Sequence, residues 1–349
     1  MKIKLKNGWV YIPYSPNYDP SKFYDNRKVM SFNTRTVGVI GARRIGKTFT
    51  FKKMVTRDFI NHNRPFVWLR DNDEARKKLA SNGGLGFFKD FKNMNIKDFD
   101  SGSISSQRFI INGKDAGGLM PCSTFQNFKG NDYSDVYNVV YDEFIRELNR
   151  NKTKAEAWEI INSLYTILST RKNCRIILLA NALDRGNAFL QLIECELKEY
   201  GFYLNRKRDT VIEYCNISPK FKQEQEDSVV GKLIVDTPFE ANLFEGEFED
   251  DTSLYFIKLP PKCHLQLILN GYVNIRLYCK DGYYFASNDT NPEAYYNKRY
   301  VANISDVTEN IPYVGNILLK KLKDIYASNK IRFASPFLKK AYCEMLAIK

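Results

Sequence analysis

Thr36-Val-Gly-Val-Ile40 runs directly into Gly41-Ala-Arg-Arg-Ile-Gly46-Lys47-Thr48, and this stretch decides how the rest of the chain is read. The first five residues are a short β-branched run, and residues 48–61 carry helical spacing. A glycine-rich segment therefore joins a strand to a helix. Residues 41–48 match GxxxxGK[ST]. Gly41 and Gly46 permit a tight loop, with Ala42, Arg43, Arg44 and Ile45 as its body, whose N–H groups converge on phosphate oxygens. The Lys47 ammonium reaches the β and γ phosphates, and the Thr48 hydroxyl ligates Mg²⁺. ATP and Mg²⁺ are the expected cofactors.

Such a loop needs an acid at the end of a hydrophobic strand to hold the metal. Tyr137-Asn-Val-Val-Tyr141-Asp142-Glu143 supplies it. Asp142 is expected to face Thr48 across the metal, with Glu143 polarising the attacking water. The consecutive acid pair distinguishes hydrolytic ASCE-type ATPases from P-loop kinases, whose acceptor is a bound hydroxyl. Arg175-Ile-Ile-Leu-Leu179 forms the next buried strand and leads into Ala180 and Asn181. Asn181 is a candidate for contacting the γ-phosphate or the water; a plain strand-end turn former is the alternative. Arg171 and Lys172 lie in the turn before that strand, and Lys129 lies in a Gly/Asn/Asp-rich loop before the acid-bearing one. Arg171, supported by Lys129, is expected to complete catalysis from a neighbouring subunit, because a guanidinium stays charged and grips phosphate bidentately. Lys172 and Arg146 are the alternatives.

Working outward, Phe66-Val-Trp-Leu69 and Arg108-Phe-Ile-Ile111 add two strands, and residues 154–168 carry helical spacing. Continuous apolar strands separated by helices predict an α/β domain with a buried, largely parallel sheet. The end of the chain reads differently. Residues 264–269 end at Asn270-Gly271 and residues 272–279 run to Asp281-Gly282, two hairpin signals that predict an antiparallel meander closed by Tyr283-Tyr-Phe285. Two helices follow, one placing Val314, Ile317, Leu318, Leu322 and Ile325 on a single face, the other opening with Ser335 and Pro336.

The chain has 349 residues, 53 Lys+Arg and 40 Asp+Glu, a net charge of +13. Residues 223–250 hold nine acids and one base, between a first block at +15 and a last block at +6. That predicts an ATPase domain over 1–222, an acidic linker over 223–250 and an α+β domain over 251–349. Two histidines, His62 and His264, exclude most His-dependent chemistry. Seven cysteines with no CxxC pair suggest a reduced, intracellular protein, and no apolar run is long enough to span a membrane.

Residues 41–48, followed by Asp142-Glu-Phe-Ile-Arg-Glu147 and Leu179-Ala-Asn-Ala182, resemble the DNA-encapsidation ATPases of phi29-like bacteriophages. The resemblance implies a homopentameric ring that drives double-stranded DNA into a prohead from its portal, in the host cytoplasm. It also implies an ASCE domain, a small linker and a C-terminal domain with an RNase H-like fold, and leaves open a structural RNA between motor and portal. Between Thr252 and Ser287 the only acid is Asp281, so a two-metal nuclease is not expected and that domain should bind nucleic acid or portal without cutting. A ring helicase or another ASCE motor would share every catalytic residue. A nucleotide-gated scaffold would have no need of Glu143.

Overall fold

The computed structural model describes residues 2–15, 18, 23–91, 96–123, 132–145, 155–181, 187–234, 254–256, 259–271, 273–288 and 298–348. Two compact units divide the chain. One comprises residues 1–184 with 188–249, the other residues 185–187 with 250–349.

Among the described residues, the first unit is built on eleven strands. In chain order they are β1 (Ile3–Lys4), β2 (Val10–Pro13), β3 (Thr36–Gly41), β4 (Phe66–Arg70), β5 (Gly102–Ser105) and β6 (Arg108–Ile111). Then come β7 (Lys114–Pro121), β8 (Asn138–Asp142), β9 (Arg175–Asn181), β10 (Gly201–Asn205) and β11 (Thr210–Tyr214). The spatial order is β1-β2-β10-β11-β3-β9-β8-β4-β7-β6-β5. From β11 to β7 every pairing is parallel. Antiparallel pairs extend both edges. The fold is the α/β class expected from the continuous apolar runs. All five residues of β8 are buried, as are the last five of β3, because helices cover both faces of a parallel sheet.

Seven helices of this unit are described: α1 (Arg27–Met30), α2 (Lys47–His62), α3 (Asp73–Phe88), α4 (Ala155–Leu168), α5 (Ala188–Leu192), α6 (Pro219–Glu226) and α7 (Val229–Ile234). Phe51 and Val55 of α2 pack with Val37, Val39, Trp68, Val140, Ile177 and Leu179 of the sheet. Asn63 ends α2 in the left-handed conformation at φ 48°, which asparagine tolerates. Asn72 caps α3 by accepting from the Ala75 N–H at 2.9 Å. α3 is broken at Ser81-Asn-Gly-Gly84, and its far end joins an aromatic cluster of Phe87, Phe88, Phe91 and Phe109. α6 runs through the expected domain edge at 222, and residues 235–253 lie outside the described residues.

In the second unit, β12 (His264–Asn270), β13 (Ile275–Lys280) and β14 (Tyr283–Ser287) form the expected meander. β15 (Arg299–Val301) and β16 (Ile331–Phe333) extend it in parallel, giving the order β15-β12-β13-β14-β16. Asp281-Gly282 is a two-residue turn with both φ positive, at 50° and 79°. The expected turn at Asn270-Gly271 is instead a longer connection, and β13 begins at Ile275; Tyr272 lies outside the described residues. Helix α8 (Asn316–Ala327) buries Leu322 and Ile325 with Val314 just before it. Ile317 departs from expectation at 90 % exposed, while its neighbours Leu318 and Leu319 in the same first turn pack against that core. α9 (Pro336–Met345) opens as expected, with Ser335 Oγ accepting from the Leu338 N–H at 3.3 Å.

Candidate active site

Strand register assembles this site. β3 pairs with β9 so that Gly41 faces Asn181, and β8 pairs with β9 so that Asp142 faces Leu179. The glycine-rich loop thus leaves the sheet beside two functional strand ends. Gly46 turns the chain at φ 92° into α2, whose N-terminal N–H groups and positive dipole end face the loop. Gly41 answers to a different constraint: a Cβ there would lie 2.7 Å from Cys215 Cβ, and the Cys215 N–H donates to the Ile40 carbonyl at 2.7 Å.

Lys47 is buried, and its ammonium donates to the Gly41 carbonyl at 3.0 Å, the Ala42 carbonyl at 2.5 Å and Asn181 Oδ1 at 3.3 Å. Burial pushes its pKa down to about 8, against the pull of the nearby Asp142 carboxylate. Thr48 Oγ1 donates to Asp142 Oδ1 at 2.8 Å. A hydroxyl and a carboxylate oxygen side by side are the hard donors Mg²⁺ accepts, its shell being completed by phosphates and water. These residues fit the metal, and the loop with Lys47 fits a polyphosphate.

Arg70, the last residue of β4, was not singled out by the sequence. Its Nη1 donates to Asp142 Oδ2 at 2.6 Å and its Nη2 to Glu143 Oε2 at 2.8 Å. One guanidinium fork therefore spans both acids and offsets their mutual repulsion. Adjacency of β4 to β8 brings it there. Glu143 sits just past β8 in the left-handed region at φ 65°, its side chain 53 % exposed. Partial desolvation raises its pKa above the ordinary carboxylate value; the Arg70 charge works against this and the Asp142 charge adds to it. Beside the loop lies a cavity of about 910 Å³, lined by Phe23, Tyr24, Arg44, Gly46, Phe49 and Thr50 among others.

Lys47 thus meets Asn181, Thr48 meets Asp142, and Glu143 is tied to Asp142 through Arg70. Arg171 does not join them. Its Nη1 donates to the Ser134 carbonyl at 3.0 Å and the Val136 carbonyl at 2.6 Å, its Nη2 to the Ile167 carbonyl and its Nε to the Leu168 carbonyl at 3.3 Å. It ties the end of α4 to the segment entering β8, which corrects the expectation of a free guanidinium aimed at a neighbour. Lys172 is exposed; Lys129 and Arg146 lie outside the described residues.

Residues 18–346 match the family of podovirus DNA encapsidation proteins (Gp16). The DNA packaging protein of Bacillus phage phi29 is 26% identical over 340 residues, covering 94% of this chain and 98% of that protein. The DNA packaging protein of Bacillus phage B103 is 26% identical over 319 residues, covering 88% and 95%. In fold, the chain is similar to one from the bacteriophage phi29 viral genome packaging motor assembly, with a TM-score of 0.72 at 23% identity, covering 94% and 99%.

The carbonyl contacts of Arg171 make it a stability residue. Hydrogen bonds from a charged donor contribute about 1.5–3 kcal/mol each and do not add fully, so Arg171→Ala should cost about 2–4 kcal/mol. Thermal unfolding measures this. An unchanged melting temperature beside lost activity would return Arg171 to the nucleotide.

Proposed function

The chain belongs to the podovirus DNA encapsidation protein (Gp16) family, and on that footing we propose an ATP-driven motor that moves double-stranded DNA into a procapsid. One observation carries the ATPase reading: the Thr48–Asp142 contact, with Lys47 and Asn181 on one side and Glu143 on the other. That grouping suits phosphoryl transfer to water.

The polyphosphate would lie along the loop, within reach of Lys47 and Thr48. Lys47 exchanges its carbonyl partners for phosphate oxygens, which offer full negative charge where carbonyls offer partial charge. Thr48 and Asp142 would hold Mg²⁺, which would supply neutralising charge to the phosphates. Glu143 orients the attacking water and takes its proton on a carboxylate oxygen. Asn181 Oδ1, in contact with the Lys47 ammonium, reports the state of the γ-phosphate to β9. DNA is gripped by phosphate contact and not by base readout, because a genome packager accepts every sequence. We place the protein in a ring docked on the procapsid portal in the host cytoplasm. Arg146, three residues past Glu143, replaces Arg171 as the cation offered to a neighbour's site, with Lys129 in support.

Glu143→Gln should lower DNA-stimulated ATPase turnover by about 10²–10⁴-fold while leaving DNA affinity unchanged; retained turnover would remove Glu143 from the reaction. The pH profile gives a second check. Glu143 works as a carboxylate and its pKa is raised, so kcat should fall on acidification at a pH above the ordinary carboxylate range. Arg70→Gln removes the charge that holds this pKa down, so the acid limb should move to higher pH; an unmoved limb would uncouple the two residues. Mixing Arg146→Ala subunits with Lys47→Ala subunits should recover ATPase activity at mixed interfaces. No recovery at any ratio, with assembly intact, would exclude Arg146 as the residue acting in trans.

A further inference from the structure

A loop that turns its N–H groups inward on phosphate must turn carbonyls outward, and a buried carbonyl there needs a donor. For Ile45, buried in the body of the loop, that donor is the Tyr24 N–H at 2.7 Å. The Ile45 carbonyl and the Gly46 N–H belong to one planar trans peptide and point in opposite directions. Holding the carbonyl toward Tyr24 therefore aims the Gly46 N–H away from it. Tyr24 is itself tied down at three further points. Its carbonyl accepts from Thr50 Oγ1 in the first turn of α2 at 2.9 Å, its ring stacks on Phe51, and its hydroxyl donates to Glu213 Oε2 at 2.7 Å. Phe23, the residue before it, places its Cβ 3.7 Å from where a Gly46 side chain would begin.

Glu213 is the fixed end of this run of contacts. It lies on β11 opposite Val39 of β3, just before the loop, and is 2 % exposed. The strand that carries the acid and the strand that carries the loop are thus one hydrogen-bonded frame. Tyr14 Oη donates to the other carboxyl oxygen, Oε1, also at 2.7 Å. The Tyr14 ring meets Tyr18 and Phe202, and its hydroxyl serves Glu213 and the Tyr214 carbonyl, not the loop. Two phenols share one buried acid, and Tyr24 is the one that also bonds the loop.

We propose that Tyr24 is a positioning residue for nucleotide binding: anchored through its hydroxyl on Glu213, it sets the Ile45–Gly46 peptide so that the Gly46 N–H faces the phosphates. The proposal rests on the nucleotide reading above, and it does not require Tyr24 to touch the ligand. Without the anchor, the 45–46 peptide turns more freely and the loop spends part of its time with that N–H misdirected. The apparent dissociation constant then rises by the inverse of the competent fraction. Ground state and transition state lose the same contact, so KM rises while kcat holds.

The test is the dissociation constant of ADP, with kcat and KM for ATP, on wild type, Tyr24→Phe and Tyr14→Phe. Each variant deprives one oxygen of the same buried carboxyl of its phenol donor, so a merely structural role would move both alike. Tyr24→Phe should bind ADP about three- to tenfold more weakly and raise KM by a similar factor at unchanged kcat. Tyr14→Phe should bind ADP as wild type does. Unchanged ADP affinity in Tyr24→Phe, equal losses in the two variants, or a loss carried by kcat overturns the proposal. Should Tyr24→Phe not fold, Thr50→Val replaces it: it frees the Tyr24 carbonyl and should weaken ADP binding within the same range, and unchanged affinity overturns the proposal. Failure of wild type to bind ADP overturns the nucleotide reading itself, and this proposal with it.

Discussion

β3, β9, β8 and β4 lie side by side and parallel, and the register among them fixes the chemistry. The glycine-rich loop leaves from the first, Asn181 ends the second, Asp142 the third and Arg70 the fourth. Parallel pairing makes those four ends emerge on the same edge of the sheet. Side chains alternate between faces, so a one-residue slip in any pairing would turn that strand's functional side chain to the opposite face. The packing of Val37, Val39, Trp68, Val140, Ile177 and Leu179 against α2 is what resists such a slip. The core is in this sense part of the active site.

Charge is what the core must then tolerate. Lys47, Asp142 and Arg70 are buried or nearly so, and isolated charges there would be costly. Each is answered locally: Lys47 by two carbonyls and Asn181, Asp142 by Thr48 and Arg70, Arg70 by both acids. These bonds are also the ones a nucleotide and its metal would compete for. Binding would therefore exchange partners without creating a new unpaired charge, with Glu143 tied to the exchange through Arg70. Tyr24 also braces the loop: its N–H donates to the Ile45 carbonyl, its carbonyl accepts from Thr50 Oγ1, and its hydroxyl donates to the buried Glu213 carboxylate on β11.

How much of this was legible follows from the range of each signal. Gly41, Gly46, Lys47 and Thr48 announce themselves because their spacing is itself the geometry. Asp142, Glu143 and Asn181 could be read from their place at the ends of apolar strands. The α/β class and the Asp281-Gly282 turn were legible for the same local reason. Arg70 was not, because its role exists only once β4 is known to neighbour β8. Nor was the contact of Glu213 with Tyr14 and Tyr24, which depends on β11 returning to pair with β3 while the two tyrosines arrive from far earlier in the chain. Arg171 shows the converse: sequence places a residue but cannot count the carbonyls waiting for its donors. Ile317 and the connection after Asn270 differ from expectation because a helix start and a turn length are settled by neighbouring packing.

The central claim is that ATP hydrolysis at the Lys47–Asp142–Glu143 site drives DNA into a procapsid. Its most direct test is protection of DNA from DNase by purified procapsids mixed with this protein. Protected DNA should accumulate with wild type and ATP, and should be absent with Lys47→Ala at equal DNA binding. Equal protection by Lys47→Ala, or protection by wild type without ATP, would contradict the account.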